Sequence, residues 1–232
     1  MDRIEAIYNR VLSGVFLLAN PIKKSVKRTE CKVHISLNFH ALSTLFTDKH
    51  IKEYNLFNTY MDSINKGAVW ADQDFRSSNH FYNPFKKRGL FGRKSAMDLA
   101  IDYYSKSIEL FPKNIKKSMF YLGAAAHIIQ DMNVPQHANI RLLDDHRQYE
   151  SFVKKNYKHS INFDKDLTPY FLDSISDYVR FNSRMALKIY NKFQNIKEDE
   201  ERFMRVTKCI IPLSIRTTTG LMLLYYKEIA NL

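Results

Sequence analysis

Most of what this chain implies about itself is concentrated in His127-Ile-Ile-Gln-Asp131-Met-Asn-Val-Pro135-Gln-His137, followed by Asp144-Asp-His146-Arg-Gln-Tyr-Glu150. His127 and Asp131 are four residues apart, and so are His146 and Glu150. On a helix that interval stacks two side chains on one face, within reach of a common ion. His137 lies two residues beyond Pro135, where the first helix is expected to have ended. Imidazole and carboxylate are the groups that zinc and related divalent ions take from proteins. Five candidate ligands at helical spacing on neighbouring helices imply more than one metal centre, the equipment of a metal-dependent hydrolase.

Outward from this stretch, apolar residues recur at helical intervals, and no alternating strand pattern competes with them. The periodicity predicts helices over about 2–19, 34–46, 48–70, 96–111, 115–133, 144–157, 169–195 and 199–230. Ser95 with Asp98 reads as a capping box, Pro112 closes one helix, and Asn114 can cap the next. Thr168 before Pro169 reads as an N-cap followed by proline at the first helical position. Pro212 is expected to kink or split the last segment. With no internal repeat or composition break, the expectation is an all-α, single-domain protein.

A length of 232 residues suits one domain with a full core. Cys31 and Cys209 are too few for a disulfide framework. Lys and Arg outnumber Asp and Glu by 36 to 24, a net charge of +12 that favours anionic partners, phospholipid surfaces or nucleic acid. No apolar run is long enough to span a bilayer. At the start, Ile4, Ile7, Val11, Leu12, Val15 and Leu18 follow helical spacing, while Asp2 and Glu5 dilute the basic lead of a secretory signal. That segment reads as an amphipathic helix, capping the core or lying on a membrane.

Two stretches resist a helical reading. Residues 71–90 are polar, aromatic and irregular, and loops of this length inside compact domains are usually functional. They hold three further candidate ligands, Asp72, Asp74 and His80. The run Lys86-Lys87-Arg88-Gly89-Leu90-Phe91-Gly92-Arg93-Lys94 sets an apolar pair in a basic loop. It is either a solvated turn with one buried hydrophobe or a membrane-touching tip that inserts Leu90 and Phe91.

Taken together, these residues resemble the bacterial zinc-dependent phospholipases C, and more distantly the single-strand-specific zinc nucleases of the same superfamily. Tyr121-Leu-Gly123 with His127-x3-Asp131 and Pro135-x-His137-Ala138 is similar to the phospholipase pattern. His146-x2-Tyr149-Glu150-x-Phe152 looks like the phospholipase version of the next motif rather than the nuclease one. His80-Phe-Tyr-x-Pro84, Ala71-Asp72, and His34 ahead of Ala41-Leu42 match further family positions, and Thr217 to Tyr226 is a weaker echo of its final helix. The resemblance covers about residue 30 to the end. It implies an N-terminal amphipathic extension over 1–30 and a catalytic domain over 31–232.

Carried over to this sequence, the family pattern implies two or three zinc ions. Asp72, His80, His127 and Asp131 would hold one, and His137, His146 and Glu150 a second. A third would lie between Asp131 and His34, completed in the family by an N-terminal tryptophan. No tryptophan precedes His34 here. Either a processed N-terminus or Cys31 takes that place; the competing reading leaves Cys31 a buried cysteine. Asp72 is implied as general base as well as ligand, with Asp74 a fallback one turn away. The implied reaction is hydrolysis of the glycerol–phosphate ester of phospholipids by a zinc-activated water, giving diacylglycerol and a phosphorylated alcohol. Gln73 and Ser77 stand where phosphatidylcholine-hydrolysing members carry aromatic rings, which argues against a cation–π cage for choline.

The implied partner is a phospholipid membrane surface, and the implied location is outside the cell or at that surface. The protein is expected to act as a monomer. Nucleic acid is the weaker expectation, because no patterned set of stacking aromatics is evident. A zinc nuclease, and a metal-binding helical protein without turnover, are the alternatives. His40, His50 and His159 read as bystanders, and Trp70 as core or substrate wall.

Overall fold

The computed structural model describes residues 31–73, 76–90, 94–140, 146–160 and 167–232, all of whose longer elements are helical. The expected N-terminal amphipathic helix, Asp74, Phe91, Asp144 and Asp145 lie outside the described residues. Eight α-helices are described: α1 (Lys32–Thr47), α2 (Ile51–Ala71), α3 (Ala96–Leu110), α4 (Ile115–Asp131), α5 (Pro135–Asn139), α6 (His146–Asn156), α7 (Ile175–Phe193) and α8 (Asp199–Ile229). Short 3-10 turns follow α2 at Arg76–Asn79 and α6 at Tyr157–Ser160. An isolated bridge between Asn83 and Arg88 is the one trace of β pairing among the described residues.

Helix α4 is the axis of the structure. Every residue from Leu122 to Asp131 is buried, so its last two and a half turns are enclosed on all sides. It packs most extensively on α2 and α3. A Cβ on Gly67 of α2 would lie 1.8 Å from the Phe120 carbonyl oxygen, and one on Gly123 of α4 would lie 1.9 Å from that of Ile64. Only glycine at both positions lets the two backbones approach so closely. That approach holds the C-terminal end of α4, with His127 and Asp131, beside the C-terminal end of α2, where Asp72 is the cap residue.

The predicted caps hold where local chemistry controls them. Ser95 and Asp98 form a complete capping box on α3, and the Asn114 side chain accepts from the Lys117 amide on α4. Helix α2 begins at Ile51 rather than 48, because Lys49 turns left-handed (φ 64°) and the His50 amide donates back to the Leu45 carbonyl at 2.9 Å.

The expected start of the next long helix at Thr168-Pro169 is incorrect. Residues 167–174 are not helical, and α7 starts after Ser174, whose hydroxyl accepts from the Asp177 amide. Arg216 of α8 explains the shift. Its guanidinium donates to the Thr168 carbonyl (2.6 Å) and the Tyr170 hydroxyl (3.0 Å), and its own carbonyl accepts from the Tyr170 amide (3.2 Å). These bonds hold the segment extended along α8. Pro212 does not split the final helix, which runs from Asp199 to Ile229.

Candidate metal centre

The eight sequence-predicted ligands come from six separate elements. His34 leaves the first turn of α1, Asp72 caps α2, and His80 follows the 3-10 turn. His127 and Asp131 share one face of α4, His137 sits on α5, and His146 and Glu150 share one face of α6. The structure brings them into three groups whose ligand atoms lie within 4.8 Å of one another: His34, His127 and Asp131; Asp72, His80 and His127, which shares His127 with the first; and, separately, His137, His146 and Glu150.

Asp131 is the hub. Its Oδ2 accepts from His80 Nδ1 at 2.7 Å and lies 3.2 Å from His127 Nε2 and 3.9 Å from His137 Nδ1. Its other oxygen lies 3.4 Å from His34 Nε2. Four imidazoles around one buried carboxylate is far more nitrogen than a structural hydrogen-bond network requires. The outer group is built from His146 Nε2, which is 3.0 Å from His137 Nε2 and 3.1 Å from Glu150 Oε1.

The donor set fits transition-metal ions, and the hydrogen bonds show how. His34 donates through Nδ1 to the Gln130 side-chain carbonyl (2.8 Å), and His137 donates through Nδ1 to the His80 carbonyl (2.8 Å). Each bond fixes the tautomer and leaves Nε2 free as a lone-pair donor towards the cluster. The Nδ1 of His127 and the Nε2 of His80 are buried without a hydrogen-bond partner. A buried polar atom without a partner is costly, and two on neighbouring rings fit a site whose remaining partner is a cation.

Electrostatics vary across the cluster. Burial pushes the His34 imidazole down to about 4, with the stacked His127 ring (centroids 4.0 Å apart) adding to the effect. For His137, burial acts downwards but Asp131 and Glu150 outweigh it, and the ring is held up to about 9. Burial alone would raise the Asp131 carboxyl; His127 and His137 overcome it and hold the group well below the usual carboxylate range. Glu150 is likewise depressed against its burial by the neighbouring His137 and His146, 3.9 and 3.1 Å away.

A family model described as zinc dependent phospholipase C matches residues 33–207, three quarters of the chain. The chain belongs to the zinc-dependent phospholipase C family. Two phospholipases C of Bacillus cereus are 30% identical over 129 residues and 31% identical over 119. Those matches cover 50% and 44% of this chain but only 46% and 42% of the relatives, so the chain spans under half of their length. The alpha-toxin of Clostridium perfringens superposes with a TM-score of 0.73 over 88% of this chain and 65% of its own, at 16% identity. The alpha toxin of Clostridium absonum gives 0.72 over the same shares at 14% identity. At such identities the likeness establishes the shared all-α fold alone.

Cys31 caps α1 in a left-handed conformation (φ 43°), and its thiol donates to Asp72 Oδ2 at 3.7 Å. It joins none of the three groups. Burial and then Asp72 and Asp131 push its thiol upwards, away from the thiolate that would ligate zinc. Trp70 packs edge-on against Tyr103 and Tyr121, and it also lines a cleft of about 340 Å³ with Ile35, Asn65, Val69 and Gln73. Ser77 is half-buried in the 3-10 turn, where its carbonyl accepts from the His80 amide. His40 and His50 are half-buried and His159 exposed, and none joins the cluster.

Two supporting residues escaped the sequence reading. Gln130 uses its whole amide, accepting from His34 and donating to Asn38 (2.9 Å) and Thr218 (3.0 Å), which ties α1 and α8 to the metal face of α4. Phe81 stacks flat on His137, with centroids 4.7 Å apart and 5° between planes. Gln130 directly precedes Asp131, but its partners lie about ninety residues away in sequence. Nothing in the sequence marks Phe81 as a stacking partner.

Proposed function

We propose that this chain is a zinc-dependent phosphodiesterase of the phospholipase C type, cleaving phospholipids to diacylglycerol and a phosphorylated headgroup alcohol. Family membership supports the reaction class. The observation that carries the reading within this chain is Asp131, buried among His34, His80, His127 and His137, with orphaned nitrogens on two of those rings.

Zinc, when bound, supplies a Lewis acid that polarises phosphoryl oxygens and lowers the pKa of water towards neutrality. The residues proposed to hold it are Asp72, His80, His127 and Asp131 for one ion and His137, His146 and Glu150 for a second. A third ion would take His34 with Asp131 and His127. Asp72, which is half-buried, would accept the proton of the attacking water as well as ligate. Gln130 and the His80 carbonyl hold His34 and His137 in the tautomers that ligation needs. Gln73 and Ser77 present amide and hydroxyl groups where a choline cage would need rings, so the proposed headgroup is not chosen by cation–π attraction. Residues 31–232 would form the catalytic domain, working as a monomer at a phospholipid surface.

The test is diacylglycerol release from phospholipid vesicles by the zinc-loaded protein, abolished by a chelator and restored by zinc. Cleavage of single-stranded DNA in its place, or full zinc loading with no phosphodiester hydrolysed, would reject the reading.

A further inference from the structure

The segment that follows His80 carries an aromatic ring outward. Phe85 is 73% exposed, whereas Phe81, Tyr82 and Leu90 on either side are buried. One exposed hydrophobe is ordinary by itself. Three features set this one apart.

First, the turn that bears it is fixed. The Asn83 side-chain oxygen accepts from the Phe85 and Lys86 amides (3.0 and 2.9 Å), and the Lys87 amide donates to the Asn83 carbonyl (2.8 Å). The Asn83 amide then closes the turn on the Arg88 carbonyl (2.9 Å). Second, Lys86, Lys87 and Arg88 follow the ring directly, and all three are exposed. Leu90 is the buried hydrophobe of the solvated-turn reading rather than an inserted one, and Phe85 is the exposed ring. Third, the base of the turn is bonded to the metal cluster. The Tyr82 amide donates to the His137 carbonyl (3.1 Å), and Phe81 stacks on the His137 ring. Phe85 lies five positions after His80, a span of at most about 18 Å.

We propose that the turn 83–88 docks this protein on anionic phospholipid surfaces, with Phe85 entering the headgroup layer and Lys86, Lys87 and Arg88 resting on anionic headgroups. An apolar ring beside several cations combines insertion with electrostatic attraction to such a surface. A second copy of the chain is a poor occupant, since a two-fold contact would bring three cations against the same three. A single strand of nucleic acid is favoured by rows of stacking rings, and this turn offers one. The inference rests on the phospholipase reading for its choice of lipid, and it gives that reading a geometry, because docking through this turn holds the cluster beside the membrane.

Cosedimentation of the full zinc-loaded chain with phosphatidylcholine vesicles, with and without phosphatidylserine, tests it, read on ice before diacylglycerol accumulates. The wild type should prefer the anionic vesicles, and the preference should fade with salt. Replacing Lys86, Lys87 and Arg88 together by Ser should weaken anionic-vesicle binding about a hundredfold, from roughly fivefold per cation. Phe85→Ser should weaken binding to both vesicle types by about tenfold. Both variants should keep their melting temperature, zinc content and hydrolysis of a monomeric short-chain phospholipid. Unchanged anionic-vesicle binding in both variants would overturn the proposal. So would a selective loss of single-stranded DNA binding, or dissociation of a dimer by Phe85→Ser with vesicle binding intact. A wild type that binds vesicles through the turn yet cleaves no phospholipid would leave docking standing and remove the enzymatic reading.

Discussion

His34 and His137 approach the two different oxygens of one carboxylate, Asp131, and they handle protons in opposite ways. His34 stacks on His127 and is pushed down to about 4, so its ring stays neutral across the ordinary pH range. His137 lies between Asp131 and Glu150 and is held up to about 9, so in the absence of metal it carries a proton at neutrality. Exposure differs as well: the Asp131 side chain is 8% exposed and that of Glu150 is 43% exposed. A cation therefore meets a neutral His34 and an enclosed Asp131 carboxylate on that side. On the His137 side it must displace a proton and compete with water. The two halves share a hub but should differ in affinity, exchange rate and sensitivity to pH.

The comparison breaks first at the hub. Asp131→Asn removes the carboxylate that both halves touch, and activity should fall by more than about a hundredfold, beyond the usual effect of losing an outer-shell partner. Zinc content, measured by atomic absorption, should fall with it, and full content would refute the hub role. Glu150→Gln should act on the exposed half alone. Its expected signature is the loss of about one zinc equivalent per chain with a melting temperature close to that of the parent. Loss of all zinc would show that the halves do not load independently.

Smaller effects sharpen the contrast. Gln130→Ala frees His34 from its orienting bond, and zinc affinity should fall by roughly tenfold in a competition titration, with the His137 side unaffected. An unchanged affinity would mean that His34 needs no orientation. For the metal-free protein, the two histidines predict a peaked stability profile in urea unfolding. His137 has a folded-state value raised to about 9 from 6.5, so its contribution is complete below pH 6.5 and is lost as pH rises through 9. His34 has a folded-state value lowered to about 4 from 6.5, so its contribution is complete above pH 6.5 and is lost as pH falls towards 4. Stability should be greatest near pH 6.5. A plateau from there to pH 9 would contradict the ion pairing of His137.

How much of this was legible beforehand follows from the range of the interactions involved. His127 with Asp131, and His146 with Glu150, are pairs on single helices, where the 3.6-residue repeat alone dictates a shared face. The capping box at Ser95 and Asp98 is equally local. Asp72 and His80 belong to an irregular stretch whose path no periodicity encodes, and family resemblance supplied them. The misplaced start of α7 has a similar cause. Thr168-Pro169 is a sound local start signal, but Arg216, far along the chain, holds that backbone extended. Gln130 was passed over because its three partners come from α1 and α8, and nothing in its immediate neighbours reveals them.

Anomalous diffraction at the zinc edge, from crystals of the zinc-loaded protein, addresses the cluster without reference to turnover. At least two peaks are expected, one among Asp72, His80, His127 and Asp131 and another among His137, His146 and Glu150, each about 2.0–2.2 Å from its nitrogen and oxygen donors. A cavity without a peak, or zinc bound only at sites remote from Asp131, would contradict the account.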